Sequence, residues 1–457
     1  MKTTFFYNMT RSLRGAICIA LAVASLASCS LYKKYERPQD IKTDNLYGTA
    51  LAENSEETMA LLSWRDLYSD PQLQALIEQA LANNAGLKAQ QWAVAQAQAS
   101  KTASKMAFLP SLTFAPSGGY SYPADLAGKH WSYQLPVALN WELDIFGGLH
   151  NQKKMAGAAL EMQKDLQQAV HARLIATVAG NYYQLLALDQ TKSLLQDAMV
   201  VWDDLIRSAE AMMENGYSNA IAVSQFKGQR YDFQTSLNTV EHNITQLEIA
   251  ICSILGEAPH AIGRGSIITC PSSELLRTGL SSQLLANRPD VRQAERNLEY
   301  YFHNVKYARS NFFPKFTIDG QALYNGNWVA SIIGGLTQPI FARGKIIAEN
   351  KIAKAQYEAA KLDFQQKLID AGGEVVLAIS QCESAHKNFE TRKLQVEEYR
   401  KAVEYSRTLM VNGECTYLDV LTAQSNLFDK QKSLIDDRLE EMLGTVNLYL
   451  ALGGGSN

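Results

Sequence analysis

The chain has 457 residues, 47% of them hydrophobic and 19% charged, and a formal net charge of −3. That length is enough for one large core or for two similar units. The near-neutral balance, with no arginine-rich or lysine-rich run, argues against a nucleic-acid binder.

The first segment is an address. Lys2, Arg11 and Arg14 give a positive n-region, and Gly15 to Ala27 is an apolar stretch too short to span a bilayer. It ends in Leu26-Ala27-Ser28-Cys29, the form of a bacterial lipobox. Residues 1–28 are therefore read as a lipoprotein signal peptide, with Cys29 as the lipidated first residue of the mature chain. Ser30 in place of an aspartate favours sorting to the outer membrane, by resemblance to known lipoproteins. An ordinary secretory signal that contains a cysteine is the alternative. Residues 29–62 carry few helix or strand signals and read as an extended arm. No later run of 18 apolar residues exists, so any bilayer crossing after cleavage falls to β-strands.

The next segments alternate between two textures. In 131–145, Trp131, Tyr133, Leu135, Val137, Leu139, Trp141, Leu143 and Ile145 alternate with smaller or polar residues. A period of two means a strand with one greasy and one wet face. Residues 111–122 are its expected partner, and 315–324 with 328–340 form a second pair across the turn Asn325-Gly326. Such strands are long enough for a bilayer, and Tyr120, Tyr122, Trp131, Tyr133, Tyr324 and Trp328 suit an interfacial girdle. All eleven prolines lie between Pro38 and Pro339, with none in 137–258 and none in 340–457. These two stretches, rich in Ala, Leu, Gln, Lys and Glu, read as long helices. Met155, Ala159, Met162, Leu166 and Ala169 step at heptad spacing, and Ala355, Leu362, Ile369 and Val376 recur every seven, the pattern of helices packed side by side.

The chain also repeats itself. Residues 214–237 and 411–434 share seven identities over 24 positions at an offset of 197, including Asn215/Asn412 and Gly216/Gly413. The expected organisation is a first repeat at 63–257, a Gly/Pro/Ser-containing linker at 258–280 and a second repeat at 281–453. Four strands cannot close a membrane barrel, and open strand edges are not tolerated in lipid. Several copies must therefore share one barrel. A helix from Lys345 to Asn412 would be about 100 Å long, far beyond the ~30 Å bilayer core. It must project from the membrane.

These features resemble the TolC-like outer-membrane factors of tripartite efflux pumps, in the lipoprotein branch called NodT-type. The carriers are the lipobox, Trp64 with Asp70-Pro71 and Leu73, Arg288-Pro289-Asp290, Asn412-Gly413 followed by Tyr417-Leu418-Asp419-Val420-Leu421, and the ending Val446-Asn447-Leu448-Tyr449 with Ala451-Leu452-Gly453-Gly454-Gly455. The resemblance covers nearly the whole mature chain. It implies a mainly α fold with a membrane β-barrel: a homotrimer whose twelve strands form the barrel, continued by a periplasmic α-helical tube. It implies a passive conduit for drugs or other small molecules, held in the outer membrane by lipid. Its partners would be a periplasmic membrane-fusion adaptor and an inner-membrane pump of the RND type. The adaptor-contact tips would be Asn215, Gly216, Tyr217, Asn412, Gly413 and Glu414. The periplasmic gate would comprise Asp419, Leu418 and Thr422, with Thr422 standing where many members carry a second aspartate. The linker would contribute to a belt round the tube's middle.

Nothing points to chemistry. No two of the seven histidines lie closer than eighteen residues, so no local metal pair exists. No G-x-S-x-G, P-loop or G-x-G-x-x-G occurs, and no cofactor, metal or catalytic residue is expected. Cys252 and Cys270 are near enough in sequence to pair in an oxidising compartment, and unpaired, mostly buried thiols are the other option. A coiled-coil lipoprotein without channel activity would explain the lipobox and heptads, but not the alternating strands.

Overall fold

The computed structural model describes residues 33–38, 41, 63–121, 130–217, 219–265, 288–325 and 327–455. Cys29 and Cys270 lie outside these. The chain divides into two compact units. One comprises residues 1–42, 92–165 and 292–367. The other comprises 43–91, 166–291 and 368–457.

The helices in chain order are α1 (Trp64–Leu67), α2 (Pro71–Asn83), α3 (Ala85–Met106), α4 (Gly148–Glu214), α5 (Ala220–Leu255), α6 (Pro289–Ser310), α7 (Lys345–Val411) and α8 (Tyr417–Ala451). The strands are β1 (Ser111–Phe114), β2 (Ser117–Ser121), β3 (His130–Leu143), β4 (Lys315–Tyr324) and β5 (Trp328–Thr337). The duplication is metrical. Helices α4 and α7 have 67 residues each, and both start and end at the offset of 197 found in the sequence. Gly147 and Gly344, Gly216 and Gly413, and Gly256 and Gly453 sit at that same offset, and all six have positive φ. Only glycine adopts this geometry at little cost, so the same punctuation opens and closes the helices of each half.

In the first unit the sheet is antiparallel in the order β1-β3-β4-β5, with β2 also on β3. The expected strand 111–122 is interrupted at Ala115-Pro116. Its two pieces nevertheless keep one register on β3, from Ser111 opposite Asn140 to Ser121 opposite His130. The reason is proline: Pro136 stands opposite Ala115, accepts from its N–H at 3.3 Å and has no N–H to return, and Pro116 next to Ala115 has none either. Strand β3 stops at Leu143 instead of 145 because Asp144 turns to cap α4. Its carboxylate accepts from the backbone N–H of Leu149 at 3.0 Å and of His150 at 2.7 Å. The β4–β5 connection spans 325–327, since Tyr324 already pairs with Trp328.

Register sorts the side chains. Trp131, Tyr133, Ile318, Tyr324, Trp328 and Ile332 share one face, and Gln134, Asn140, Thr317, Asp319, Gln321 and Ser331 share the other. On the greasy face Tyr120 meets Trp131 at 5.4 Å, Tyr133 meets Tyr324 at 6.2 Å and Tyr324 meets Trp328 at 5.2 Å between centroids. One end of the sheet therefore carries a band of aromatic side chains, as an interfacial girdle requires. In the same unit the arm is clipped to the helices. Arg37 donates twice to Glu295, at 2.8 and 2.6 Å, and Tyr35 packs edge-on against Phe302 at 5.6 Å.

The second unit is helical. Its buried residues include Leu73, Ile77, Ile175, Tyr182, Leu185, Trp202, Phe226 and Ile251. Asp70 caps α2 by accepting from Gln72 N–H at 2.8 Å, with Pro71 at the first helical position. Buried Asp70 also accepts from the Tyr182 hydroxyl at 2.5 Å, and that oxygen accepts from Gly265 N–H at 3.1 Å. Cys252 is buried and its thiol donates to the His260 carbonyl at 3.4 Å.

The heptad readings need one correction. On α7 the stripe Ala355, Leu362 and Ile369 is exposed in the single chain, with Leu362 at 67%. The buried seam runs instead through Ala353, Ala360, Phe364, Leu368, Ala371 and Val375. This helix is apolar on two sides: one covered by its own chain, one left bare.

Candidate functional site

Helices α4 and α7 end in the same Schellman turn. At the first, Gly216 has φ 77°, its N–H donates to Met213 O at 3.1 Å, and Tyr217 N–H donates to Met212 O at 2.8 Å. At the second, Gly413 has φ 76°, its N–H donates to Met410 O at 3.1 Å, and Glu414 N–H donates to Leu409 O at 2.9 Å. A Cβ on either glycine would meet nothing within 4 Å. The turns are thus open to approach from outside. Asn215 reinforces the first by donating from Nδ2 to Ala211 O at 2.8 Å.

The chain then starts back by two different devices. Asn219 caps α5 by accepting from Ile221 and Ala222 N–H, both at 3.1 Å. Thr416 and Asp419 cap α8 as a capping box: the Asp419 carboxylate accepts from Thr416 N–H at 2.8 Å and from its hydroxyl at 2.6 Å. The Thr416 hydroxyl above all, with its N–H, holds the Asp419 carboxyl below the usual carboxylate range. Ala222 stands at the matching place in the first half, so that half has no charge there.

The two hairpin ends share a cleft of about 820 Å³. Met212, Tyr217 and Phe226 line it from the first half, and Met410, Gly413 and Tyr417 from the second. Arg407 and Asp204 add one charge of each sign to an otherwise mainly apolar wall. Beneath, Trp202 packs against Phe226 and Phe233 at 5.8 and 5.9 Å. Phe226 meets Tyr417 at 6.2 Å, and Phe233 meets Phe428 at 4.4 Å. The residues expected at the tips therefore divide. Tyr217 and Gly413 reach the cleft, while Asn215, Gly216, Asn412 and Glu414 lie exposed on the turns beside it. Asp419, Leu418 and Thr422 are exposed on α8 and do not line it. Sequence reasoning overlooked Phe226 and Arg407, and singled out Tyr417 only as part of a motif. Tyr217 is 81% exposed, an unusual state for an aromatic side chain.

The motifs at the other end of α8 have a structural cause. Arg288 is buried. It donates to Ala451 O at 3.0 Å and Ala371 O at 3.4 Å, and pairs with Asp290 and Glu374. Gly453, with φ 83°, lies against it: a Cβ there would come within 3.3 Å of Arg288 Cγ. At Gly454 a Cβ would sit 2.3 Å from the Tyr449 ring. The R-P-D and G-G-G motifs are two sides of one clasp.

A five-strand antiparallel sheet, an aromatic band on its greasy face and two long helical hairpins define a subunit of an outer-membrane channel. The chain belongs to the outer membrane efflux protein family, whose model matches residues 76–257 and 280–454. It is 26% identical over 455 residues to the probable outer membrane lipoprotein SilC of Salmonella typhimurium, covering 94% of this chain and 96% of that one. It is 27% identical to the cation efflux system protein CusC of Escherichia coli K12, covering 96% and 98% respectively. The structure of the outer-membrane channel OprN superposes with a TM-score of 0.82 at 21% identity, over 93% of this chain and 99% of that one. The fold is thus that of the trimeric channels, a shared β-barrel continued by a periplasmic helical tube, and the protein resides in the outer membrane.

Proposed function

We propose that the chain is the exit duct of a tripartite pump of the RND type, docked at its hairpin tips by a periplasmic adaptor and anchored through lipid on Cys29. The duct carries no chemistry of its own. The observation that carries the docking reading is the tip cleft. Two unobstructed Schellman turns flank a mainly apolar groove of about 820 Å³ with Tyr217 at its edge, and the groove suits an apolar side chain on a partner's backbone turn. The test is a photoreactive amino acid at Tyr217 in cells carrying the cognate adaptor. Cross-links to that adaptor are expected, and cross-links only to other copies of this chain would sink the reading. Relatives are named for cation, solvent and toluene efflux, so cargo does not follow from family membership.

The gate is the second element of the proposal. Three copies of exposed Asp419 around a threefold axis would draw cations to the entrance, with Leu418 and Thr422 as the uncharged parts of the same constriction. The capping box gives Asp419 a local role as well. Asn in its place still offers an acceptor to Thr416 N–H, so Asp419→Asn removes the charge while leaving most of the cap. Lower cation preference and weaker block by multivalent cations are expected in single-channel recordings. An unchanged channel would confine Asp419 to capping. The hydrogen bonds from Thr416 work against the mutual repulsion of a ring.

A further inference from the structure

We propose that Asp319 makes the barrel itself cation-selective, independently of the periplasmic entrance. The sheet's two faces settle where it points. The face carrying Trp131, Tyr133, Ile318 and Ile332 must meet lipid, so the face carrying Asp319 lines the water-filled interior. Charges on that interior face, among the described residues, are confined to Glu142, Lys315 and Asp319. Lys315 and Glu142 pair with each other at 3.3 Å. Asp319 forms no ion pair with a described residue. It accepts from Asn140 Nδ2 at 2.6 Å on the neighbouring strand and from Thr317 Oγ1 at 3.0 Å on its own.

Those two bonds do not require a charge. An asparagine could accept the same protons, and the strand disfavours the two residues alike. What the carboxylate adds is a negative charge halfway along β4, exposed to the lumen, in a wall of serine, threonine, amide and apolar side chains. Three copies per barrel put three such charges at one height. A wide lumen limits their reach. The Debye length is about 10 Å at 0.1 M salt and about 30 Å at 0.01 M, so the effect is strong only in dilute electrolyte.

The test is the reversal potential of the purified full-length trimer in planar bilayers, under a potassium chloride gradient at low and at high salt. Asp319→Asn is expected to lower the cation-to-anion permeability ratio about twofold near 0.01 M and to leave it unchanged near 1 M. Asn140→Ala breaks the cross-strand hydrogen bond without touching charge and should keep wild-type selectivity. Asp319→Glu should restore it. Gln321→Lys, two residues along the same face, should offset the preference and serves if Asp319→Asn fails to assemble. Wild-type reversal potentials in both Asp319→Asn and Gln321→Lys would overturn the proposal. So would an Asn140→Ala shift equal to that of Asp319→Asn, since the effect would then come from strand geometry. Asp419→Asn run in parallel separates the two charges: loss of selectivity in that variant alone would assign it to the entrance and overturn the barrel's role.

Discussion

Gly413→Val is expected to abolish efflux while leaving an assembled, heat-modifiable trimer in the outer membrane. Two observations separate these effects. At φ 76° a β-branched residue is strained, by roughly 1–2 kcal/mol. A Cβ there meets no atom of the chain, so packing is not otherwise disturbed. The strain is small for a trimer with two 67-residue helices per subunit, and assembly should survive. The cleft wall, however, gains a branched side chain where a partner's backbone is expected to approach. The informative companion is Gly413→Asn, because asparagine tolerates left-handed backbone. If trimers carrying Gly413→Asn also fail to confer resistance, obstruction is the cause and strain is not. If they pump normally, the glycine serves only the turn. Drug susceptibility of cells and gel mobility of unheated samples read the two outcomes apart.

Arg288→Ala is expected to prevent assembly or to lower the thermal midpoint of the trimer sharply. The guanidinium is buried and serves two backbone carbonyls and two carboxylates at once. Truncation takes this donor from the carbonyls of Ala371 and Ala451 and one ion pair from Asp290. Breaking a buried ion pair from one side costs about 3–5 kcal/mol. The lower end applies here, because Glu374 is half exposed and can turn to water. Gly454→Ala should have a similar consequence from the other side of the clasp, since its methyl would overlap the Tyr449 ring. Thermal melts of detergent-solubilised trimers check both. Unchanged melts would mean that the glycine-rich ending serves something other than stability.

Much of this architecture was legible in the sequence. Alternation over 131–145 placed β3 because a strand wetted on one side must repeat every two residues. The Asn-Gly pairs at an offset of 197 placed both helix ends, since a long helix can turn back there only through left-handed backbone. The break at Ala115-Pro116 was not legible. It depends on Pro136 standing opposite, a fact of register and not of local sequence. The outward stripe of α7 was hidden for a related reason. Leu362 and Phe364 both fit heptad patterns, and periodicity cannot say which neighbour covers which side. The capping role of Asp419 was legible and overlooked: Thr416 followed three residues later by an acid, ahead of an apolar run, is a helix-start signature. The cleft residues Phe226 and Arg407 had no linear signal. They come together only because two hairpins far apart in sequence end side by side.

The equal lengths of α4 and α7 carry a consequence for how such a protein can change over generations. Removing one residue from either helix shortens it by about 1.5 Å and turns everything beyond by about 100°. The two tips would then end at different heights, with their exposed stripes pointing in different directions. A viable change in the reach of the duct must therefore be made twice, at corresponding places in both halves. Drift by insertion or deletion is closed to these helices, while the masonry at either end is free to vary.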